Sequence, residues 1–316
     1  MSLAALPRLS PTTLGALCAI GASLGFSLND MSVKFLSGGY PLHEVVLIRS
    51  LVALTILLAV LVPMSGGYGI LRTRQPFKHL LRGVFIVCAN MTFFIALAAM
   101  PIADATAIFF VSPLLIGLFS VIFLGETVGP RRWAAIGAGL LGVLIMIRPG
   151  SDSFSLIAVL PLIAATAYAA LNTLTRHIGL RETAVSMATY TQFTFLGFSL
   201  IFGLVAGQGQ FTPGPESPSL DFLLRGWIWP RLGDLPFFLI CGLGTAMGGL
   251  LIAQAYRSCE AALIAPLEYV AMPMAIFWGI WIFAEWPDGI SWIGISLILA
   301  SGIYMIIRES RKTTQG

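Results

Sequence analysis

Charged side chains are scarce in this chain. Only 10% of its 316 residues are Asp, Glu, Lys or Arg, whereas 57% are hydrophobic, and the mean hydropathy is +0.91. A soluble globular domain carries roughly 25% charged residues, so this chain has too few charges to cover a surface that faces water. The composition therefore indicates an all-α, polytopic membrane protein.

The sequence also lacks a dense basic cluster and any paired spacing of cysteines. The formal net charge is +4, but no contiguous basic face supplies the cations that nucleic-acid binding needs, so we expect no nucleic-acid partner. We interpret the cysteines as small buried hydrophobic residues, not as a metal site or disulfides, and we predict no cofactor. They are Cys18, Cys88, Cys241 and Cys259.

Catalytic motifs are missing as well. The sequence contains no H-E-x-x-H and no G-x-x-x-x-G-K-[ST]. The histidines, His43, His79 and His177, lie far apart along the chain. A membrane-embedded enzyme is therefore kept only as an alternative from another class. A channel would need a ring of like residues or a filter loop, and the sequence offers neither.

Long apolar segments are what the sequence does contain. A transmembrane helix needs about 20 mostly apolar residues. The first segment follows Arg8 as a signal peptide would, but it runs on beyond the usual length, so we interpret it as a retained helix. Ten segments qualify: Thr13–Leu36, Leu42–Pro63, His79–Ala99, Ile102–Leu124, Arg132–Ile147, Leu156–Thr175, Ala184–Ala206, Leu235–Tyr256, Ala261–Phe283 and Ile290–Ile307.

The connections between these segments alternate in basic charge. One side carries 13 Lys and Arg residues, and the other carries 3, or 4 if Lys34 is included. By the positive-inside rule, both termini are expected to be cytoplasmic. The basic residues assigned to that side are Arg8, Arg72, Arg74, Lys78, Arg82, Arg131, Arg132, Arg176, Arg181, Arg257, Arg308, Arg311 and Lys312.

One connection, residues 207–234, is much longer than the others. It begins with a stretch rich in Pro, Gly and Ser and continues as LDFLLRGWIW. Trp227 and Trp229 suit the lipid headgroup zone, so we predict an interfacial segment on the external face. The alternative is an irregular loop whose tryptophans pack on helix ends.

The chain contains an internal repeat. Residues 278–306 match residues 119–147 at a shift of 159, which sets Glu126 over Glu285 and Trp133 over Trp292. At a shift of 143, ALNTLTRH matches SLNDMSVK, so that Asn172 falls on Asn29. Two matches in the same order indicate duplication of a five-helix unit, residues 1–150 and then 151–316.

An odd number of helices in each unit inverts the second copy. We therefore predict ten transmembrane helices arranged as two inverted five-helix repeats. This is an architecture of secondary transporters, which bind their substrates near the membrane midplane between the two halves.

Three motifs carry a resemblance to a known family. GET-x-x-x-x-x-W-x-x-I-G, its echo AEW-x-x-x-x-SW-x-G, and APLEY resemble the EamA-type drug/metabolite transporter superfamily, over residues 13–307. The resemblance implies ten helices in inverted repeats and transport of small organic metabolites. The chain is most similar to bacterial amino-acid exporters, including the aromatic branch. SLND and HEVVLIRS also resemble members that import vitamins or S-adenosylmethionine, so the branch stays open.

Charged residues within the apolar segments are candidates for substrate binding, because each costs about 3 kcal/mol at a helix centre. Asp30 and Lys34 share a helix face, and Lys34 either attracts a substrate carboxylate or belongs to a structural pair. Arg49 either pairs with Glu44 or Asp30, or offers a fork to a substrate carboxylate. Glu268 either meets an amine or a proton, or caps a helix break at the neighbouring prolines.

Amide and aromatic side chains complete the predicted substrate site. An amide is costly in lipid unless it is hydrogen-bonded, so we expect these residues to point inward, with bonding between helices as the alternative role. Rings either wall the cavity or pack in the core. The full predicted set is Asn29, Asp30, Lys34, Arg49, Asn90, Phe94, Tyr168, Asn172, Tyr190, Gln254, Glu268 and Tyr269.

We therefore expect a secondary transporter of the bacterial inner membrane that works by alternating access. Its expected partners are a small-molecule substrate and the lipid bilayer, and we expect it to act as a monomer. The expected substrate is an amino acid, aromatic ones included, moved outward as by an exporter. The alternative is an uptake transporter for a vitamin or an S-adenosylmethionine-like metabolite.

Overall fold

The structure is a computed structural model that describes residues 11–125, 130–147, 156–212 and 217–313. Arg8, Glu126 and Arg148, on which the topology and repeat predictions partly rest, lie outside these residues. Within them the chain is helical and has no β-strand. The α-helices are α1 Pro11–Ser37, α2 Leu42–Ile56, α3 Val62–Met64, α4 Pro76–Leu97, α5 Ile102–Phe109, α6 Ser112–Leu124, α7 Pro130–Ile147, α8 Val159–Ile178, α9 Ala184–Ala206, α10 Pro218–Leu224, α11 Leu235–Ser258, α12 Ala261–Ile264, α13 Ala271–Phe283 and α14 Gly289–Thr313.

Tighter and wider helical turns complete the secondary structure. A π-helical turn, Leu57–Leu61, joins α2 to α3, so that one helical segment runs from Leu42 to Met64. The 3-10 segments are Tyr68–Leu71, Leu156–Ala158, Gly179–Arg181, Leu232–Asp234 and Ala265–Val270.

Several of these segments can cross a membrane. Seven in the described part of the chain are long and apolar enough: Thr13–Ser37, Leu42–Met64, Pro76–Leu97, Ile102–Leu124, Leu156–Arg181, Ala184–Ala206 and Leu232–Ser258. Gly137–Ile147, Leu267–Phe283 and Gly289–Ser301 are shorter apolar helices. The predicted multi-pass helical membrane protein is confirmed at this level, whereas the count of ten spans stays a prediction.

Close backbone contacts hold helices of the two predicted halves together. The pairs are α1 with α11, α2 with α9, α4 with α8, and α7 with α14. A Cβ built on Gly244 of α11 would lie 2.5 Å from the carbonyl oxygen of Gly25 in α1. A Cβ on Gly142 of α7 would lie 3.0 Å from the carbonyl oxygen of Gly294 in α14. Small residues let helices approach closely in lipid, and these glycines allow the backbones of the paired helices to touch.

Two of the predicted spans are broken helices. α5 ends at Phe109 and α6 begins at Ser112, while the Ala265–Val270 segment separates α12 from α13. The breaks touch, since the Tyr269 hydroxyl donates to the carbonyl oxygen of Phe110 at 3.1 Å. Irregular backbone at membrane depth is tolerated where protein buries it or a cavity adjoins it.

The long connection after α9 packs against the helix bundle. Trp227 donates from Nε1 to the Gly203 carbonyl oxygen at 3.1 Å, and its ring packs edge-on against His43 at 4.5 Å. Trp227 therefore follows the alternative of packing on helix ends. Trp229 is 92% exposed, as an interfacial residue would be.

The cysteines follow the expectation with one exception. Cys18, Cys241 and Cys259 are buried and free, whereas Cys88 is exposed. The prediction of burial is wrong for Cys88, because an apolar sequence around a residue does not fix which face of its helix points outward.

Two helix ends share a left-handed backbone. Gly125 after α6 has φ of 70°, and Ala284 after α13 has φ of 52°. A residue with a Cβ is strained in this conformation, by roughly 1–2 kcal/mol. Positions 125 and 284 are related by the 159-residue shift of the sequence repeat, so equivalent turns carry a glycine in one copy and an alanine in the other.

We predict that Ala284→Gly raises the free energy of unfolding by about 1 kcal/mol, because glycine adopts positive φ without strain. The measurement is thermal unfolding of the purified protein in detergent. Gly125→Ala is the matched reverse change, since a Cβ at position 125 meets no atom within 4 Å and adds backbone strain alone. Shifts of both variants in the same direction would contradict this explanation.

Candidate functional site

A cavity lies between helices of the two predicted halves. It follows α4 from Arg82 to Phe94, about 18 Å at a rise of about 1.5 Å per residue. Its polar lining is Ser23, Asn29, Asp30, Arg49, Arg82, Asn90, Thr106, Tyr168, Asn172, Thr175, Thr191, Gln192, Thr245 and Glu268. Its phenylalanine rings are Phe26, Phe93, Phe94, Phe109, Phe110 and Phe195.

Arg49 of α2 is fixed by amide oxygens from two other helices. Its Nη1 donates to Asn29 Oδ1 of α1 at 3.0 Å, and its Nη2 donates to Asn90 Oδ1 of α4 at 3.1 Å. The Thr245 hydroxyl of α11 also donates to Asn29 Oδ1, at 2.9 Å. A guanidinium donates hydrogen bonds in a rigid plane, so these partners hold Arg49 in one orientation.

Two phenyl rings cover the guanidinium of Arg49. Its Cζ lies 4.9 Å from the ring centroid of Phe94 and 4.9 Å from that of Phe195. The residue is 1% exposed, and its Nε has no hydrogen-bond partner among the residues that the structure describes. Within the described residues Arg49 forms no ion pair, so the predicted pairing with Glu44 or Asp30 is wrong. Glu44 instead accepts from the Ile228 amide at 3.0 Å.

Asp30 lies beside this arginine without touching it. Its Oδ1 accepts from Asn29 Nδ2 at 2.9 Å, so the Asn29 amide stands between the carboxylate and the guanidinium. Asp30 lines the cavity. The two charges are therefore neighbours that remain available to a ligand.

Glu268 lies within the broken helix and is bonded to two phenols. Its Oε2 accepts from the Tyr168 hydroxyl of α8 at 2.6 Å, and its Oε1 accepts from the Tyr256 hydroxyl of α11. The carboxylate is buried. It therefore braces the break against two helices, which is closer to the predicted structural role than to binding an amine.

Comparison with known proteins assigns the chain to a family. The EamA-like transporter family matches residues 13–148. A riboflavin transporter of Rhizobium johnstonii is 31% identical over 78% of this chain and 75% of its own length. The chain belongs to the EamA-type drug/metabolite transporters. It is a membrane transporter and not an enzyme.

Other EamA relatives differ in what their names say they carry. An S-adenosylmethionine uptake transporter of Rickettsia bellii is 25% identical over 90% of both chains. A pseudopaline exporter of Pseudomonas aeruginosa is 28% identical over 92% of this chain and 94% of its own. A solved crystal structure that is 19% identical has a TM-score of 0.68, with 95% of this chain and 98% of that chain covered, so the fold is shared.

Eight of the twelve residues predicted for the site of this EamA transporter line the cavity. They come from α1, α2, α4, α8 and the Ala265–Val270 segment. Asn29 and Asn172, which the repeat pairs, are both buried there, at 3% and 2% exposure. The eight are Asn29, Asp30, Arg49, Asn90, Phe94, Tyr168, Asn172 and Glu268.

Lys34 lies outside the cavity lining. Its Nζ is 3.0 Å from Glu285 Oε1 and donates to the carbonyl oxygens of Met100 at 2.7 Å and Leu97 at 3.2 Å. The predicted attraction of a substrate carboxylate is not supported, because the ammonium is already bonded. A structural ion pair exists, but its partner is Glu285 rather than Asp30.

Three further predicted residues also lie outside the lining. The Tyr190 hydroxyl donates to the Leu71 carbonyl oxygen at 2.5 Å. Gln254 donates to the Ser258 hydroxyl at 3.2 Å and accepts from Arg257 at 2.8 Å. Tyr269 packs on Phe110, to whose carbonyl it donates. Each side chain is occupied by a neighbour in the fold, so we leave them out of the binding site.

Arg82 is the main lining residue that sequence reasoning missed. The charge pattern groups it with the cations of a connection, but α4 begins at Pro76 and places it in the second turn. It is buried, and donates to the Thr175 hydroxyl at 2.9 Å and the Met187 carbonyl oxygen at 3.3 Å. Phe93 also lines the cavity, eleven residues along the same helix face, and this spacing was the available signal.

We predict that Tyr168→Phe lowers the free energy of unfolding by about 1–3 kcal/mol, because it leaves one oxygen of the buried Glu268 unpaired. Thermal unfolding in detergent measures the change. Tyr68→Phe is the matched control, since Tyr68 is exposed and its hydroxyl donates to the Leu58 carbonyl oxygen rather than to a buried carboxylate. Equal losses in the two variants would rule out a bracing role for Glu268.

Proposed function

We propose that this protein takes up a flat aromatic vitamin of the flavin type, such as riboflavin, across the bacterial inner membrane. The observation that carries the proposal is Arg49, a buried cation with an unbonded Nε in a cavity lined by aromatic rings. A ligand with carbonyl oxygens on an aromatic ring supplies a hydrogen-bond acceptor for Arg49. Its ring supplies a flat surface that can stack on the rings of the cavity.

The wall of the cavity supports an aromatic ligand. Phe93 and Tyr168 both pack against Phe109, with ring centroids 5.0 Å and 5.3 Å apart. Offset and edge-on contacts between rings add about 0.5–1.5 kcal/mol each beyond area burial. A fused heterocycle such as isoalloxazine gains several such contacts in one site.

The named relatives favour uptake of a vitamin or S-adenosylmethionine over the expected amino-acid export. The relatives described above carry riboflavin, S-adenosylmethionine or pseudopaline by name, and none is named for an amino acid. We therefore adopt the alternative of a vitamin uptake transporter as the main proposal. The exporter among the relatives makes the direction a matter for experiment.

S-adenosylmethionine is the second candidate, and the Asp30 carboxylate favours it. Asp30 lines the cavity and forms no ion pair within the described residues. A sulfonium or an ammonium group would be attracted by such a charge. Arg49 would then meet the carboxylate of the same ligand.

The pattern of helix packing supports the proposed inverted repeat of residues 1–150 and 151–316. We number the ten proposed spans in chain order, with α5 and α6 forming the fourth and α12 and α13 the ninth. If the halves are exchanged, the first span takes the place of the sixth, and the eighth takes the place of the third. The contact between the first and eighth spans then corresponds to a contact between the sixth and third. Both contacts occur, as α1–α11 and α8–α4. The second–seventh and fifth–tenth contacts, α2–α9 and α7–α14, map onto themselves.

Contacts between the halves at one end of the cavity support alternating access. Lys34 pairs with Glu285, and Tyr40 donates to Asp234 at 2.6 Å. In the proposed orientation, with both termini cytoplasmic, this end faces outward. We propose that these contacts close the outer entrance and break when the halves rock.

We predict that liposomes holding the purified protein and unlabelled riboflavin accumulate labelled riboflavin by exchange. Arg49→Lys should lower the initial rate at least about tenfold, because an ammonium cannot reproduce the planar, stacked guanidinium. S-adenosylmethionine, tested as a competitor in the same liposomes, decides between the two candidates.

Arg231→Lys is the matched control, since the Arg231 side chain is exposed in the long connection and its exchange should equal that of the wild type. Absence of riboflavin exchange by the wild type would sink the flavin proposal. Full exchange by Arg49→Lys would remove Arg49 from the binding site.

A further inference from the structure

Asp30 lines the cavity and has one oxygen without a partner among the described residues. Asn29 Nδ2 donates to Oδ1 at 2.9 Å, while Oδ2 accepts no hydrogen bond from the residues that the structure describes. The side chain is partly exposed to the cavity that it lines. Oδ2 is therefore an open acceptor beside the donor groups of Arg49.

The amide of Asn29 fixes this arrangement. Its oxygen accepts from Arg49 Nη1 at 3.0 Å and from the Thr245 hydroxyl at 2.9 Å. Turning the amide over would set its NH2 group against the Arg49 donors and break both bonds. Asn29 must therefore point its NH2 group at Asp30. The carboxylate of Asp30 then lies on the nitrogen side of the amide, and the guanidinium of Arg49 lies on its oxygen side.

We propose that Asp30 determines specificity by accepting the N–H of a cyclic imide, while Arg49 donates to the carbonyl next to it. This inference rests on the proposed flavin function. The isoalloxazine ring carries such an edge, with N3–H between two carbonyl groups. Phe94 and Phe195 cover the guanidinium of Arg49. The edge of the isoalloxazine ring therefore approaches Arg49 in the plane of the guanidinium.

This arrangement makes a methyl group at N3 a sharp probe. A site built to bond a substrate N–H rejects an analogue that lacks it, because the buried acceptor is left unpaired. Riboflavin should therefore bind the wild type at least about tenfold more tightly than 3-methylriboflavin. The quenching of flavin fluorescence by the purified protein in detergent measures both affinities.

Asp30→Asn tests the role of the carboxylate at nearly constant shape. In this variant the carboxamide oxygen still accepts from Asn29, so the new NH2 group takes the place of Oδ2. Two donors, this NH2 group and N3–H of the flavin, then face each other. We expect the affinity for riboflavin to fall about tenfold while that for 3-methylriboflavin changes little, so that the two flavins bind about equally. Asp221→Asn, in the α10 pair with Arg225, should keep the wild-type ratio.

Each outcome bears on a distinct claim. A wild-type protein that binds both flavins equally, or an Asp30→Asn variant that keeps the wild-type ratio, overturns the role of Asp30 and leaves flavin transport standing. A wild-type protein that binds neither flavin overturns the proposed function itself. If Asp30→Asn does not fold, Asp30→Ala replaces it, with the same expected collapse of the ratio.

Discussion

The guanidinium of Arg49 is buried and bonded to no carboxylate among the described residues, and side chains from neighbouring helices satisfy its hydrogen bonds. Burying a charge costs several kcal/mol unless hydrogen bonds and other charges compensate. Here two amide oxygens and the faces of two rings do so. They come from α1, α4 and α9, so one cation on α2 draws three further helices together. These partners are neutral, so Arg49 forms no ion pair among the described residues.

Glycine contacts determine where that cation sits relative to the second half. Because Gly25 and Gly244 let α1 and α11 approach closely, Thr245 reaches Asn29 and fixes its amide. The cavity is therefore lined by segments far apart in the sequence. The broken helices line the same cavity through Phe110 and Glu268, and they contact each other where Tyr269 bonds to Phe110.

Sequence reasoning succeeded where the signal was local or repeated. Apolar segment length predicted the helices, and the repeat predicted that Asn29 and Asn172 share the cavity. It failed where the partner of a side chain is distant in the chain. The sequence suggests that Lys34 pairs with its helix neighbour Asp30. Its ion-pair partner is Glu285, which lies far away in the sequence. The predicted third segment begins at His79, three residues after the observed start of α4 at Pro76. The prediction therefore places Arg82 close to the end of the helix. Helix periodicity predicts which face of a helix carries a given residue, but it does not predict which other part of the chain that face contacts.

The most direct measurement is an experimental structure of the purified protein with riboflavin bound. The flavin ring should lie in the cavity beside Phe94 and Phe195, with a carbonyl oxygen within hydrogen-bond distance of Arg49. A ring bound elsewhere, or an Arg49 side chain that turns away to pair with a carboxylate when the ligand is present, would contradict the central role of this buried cation.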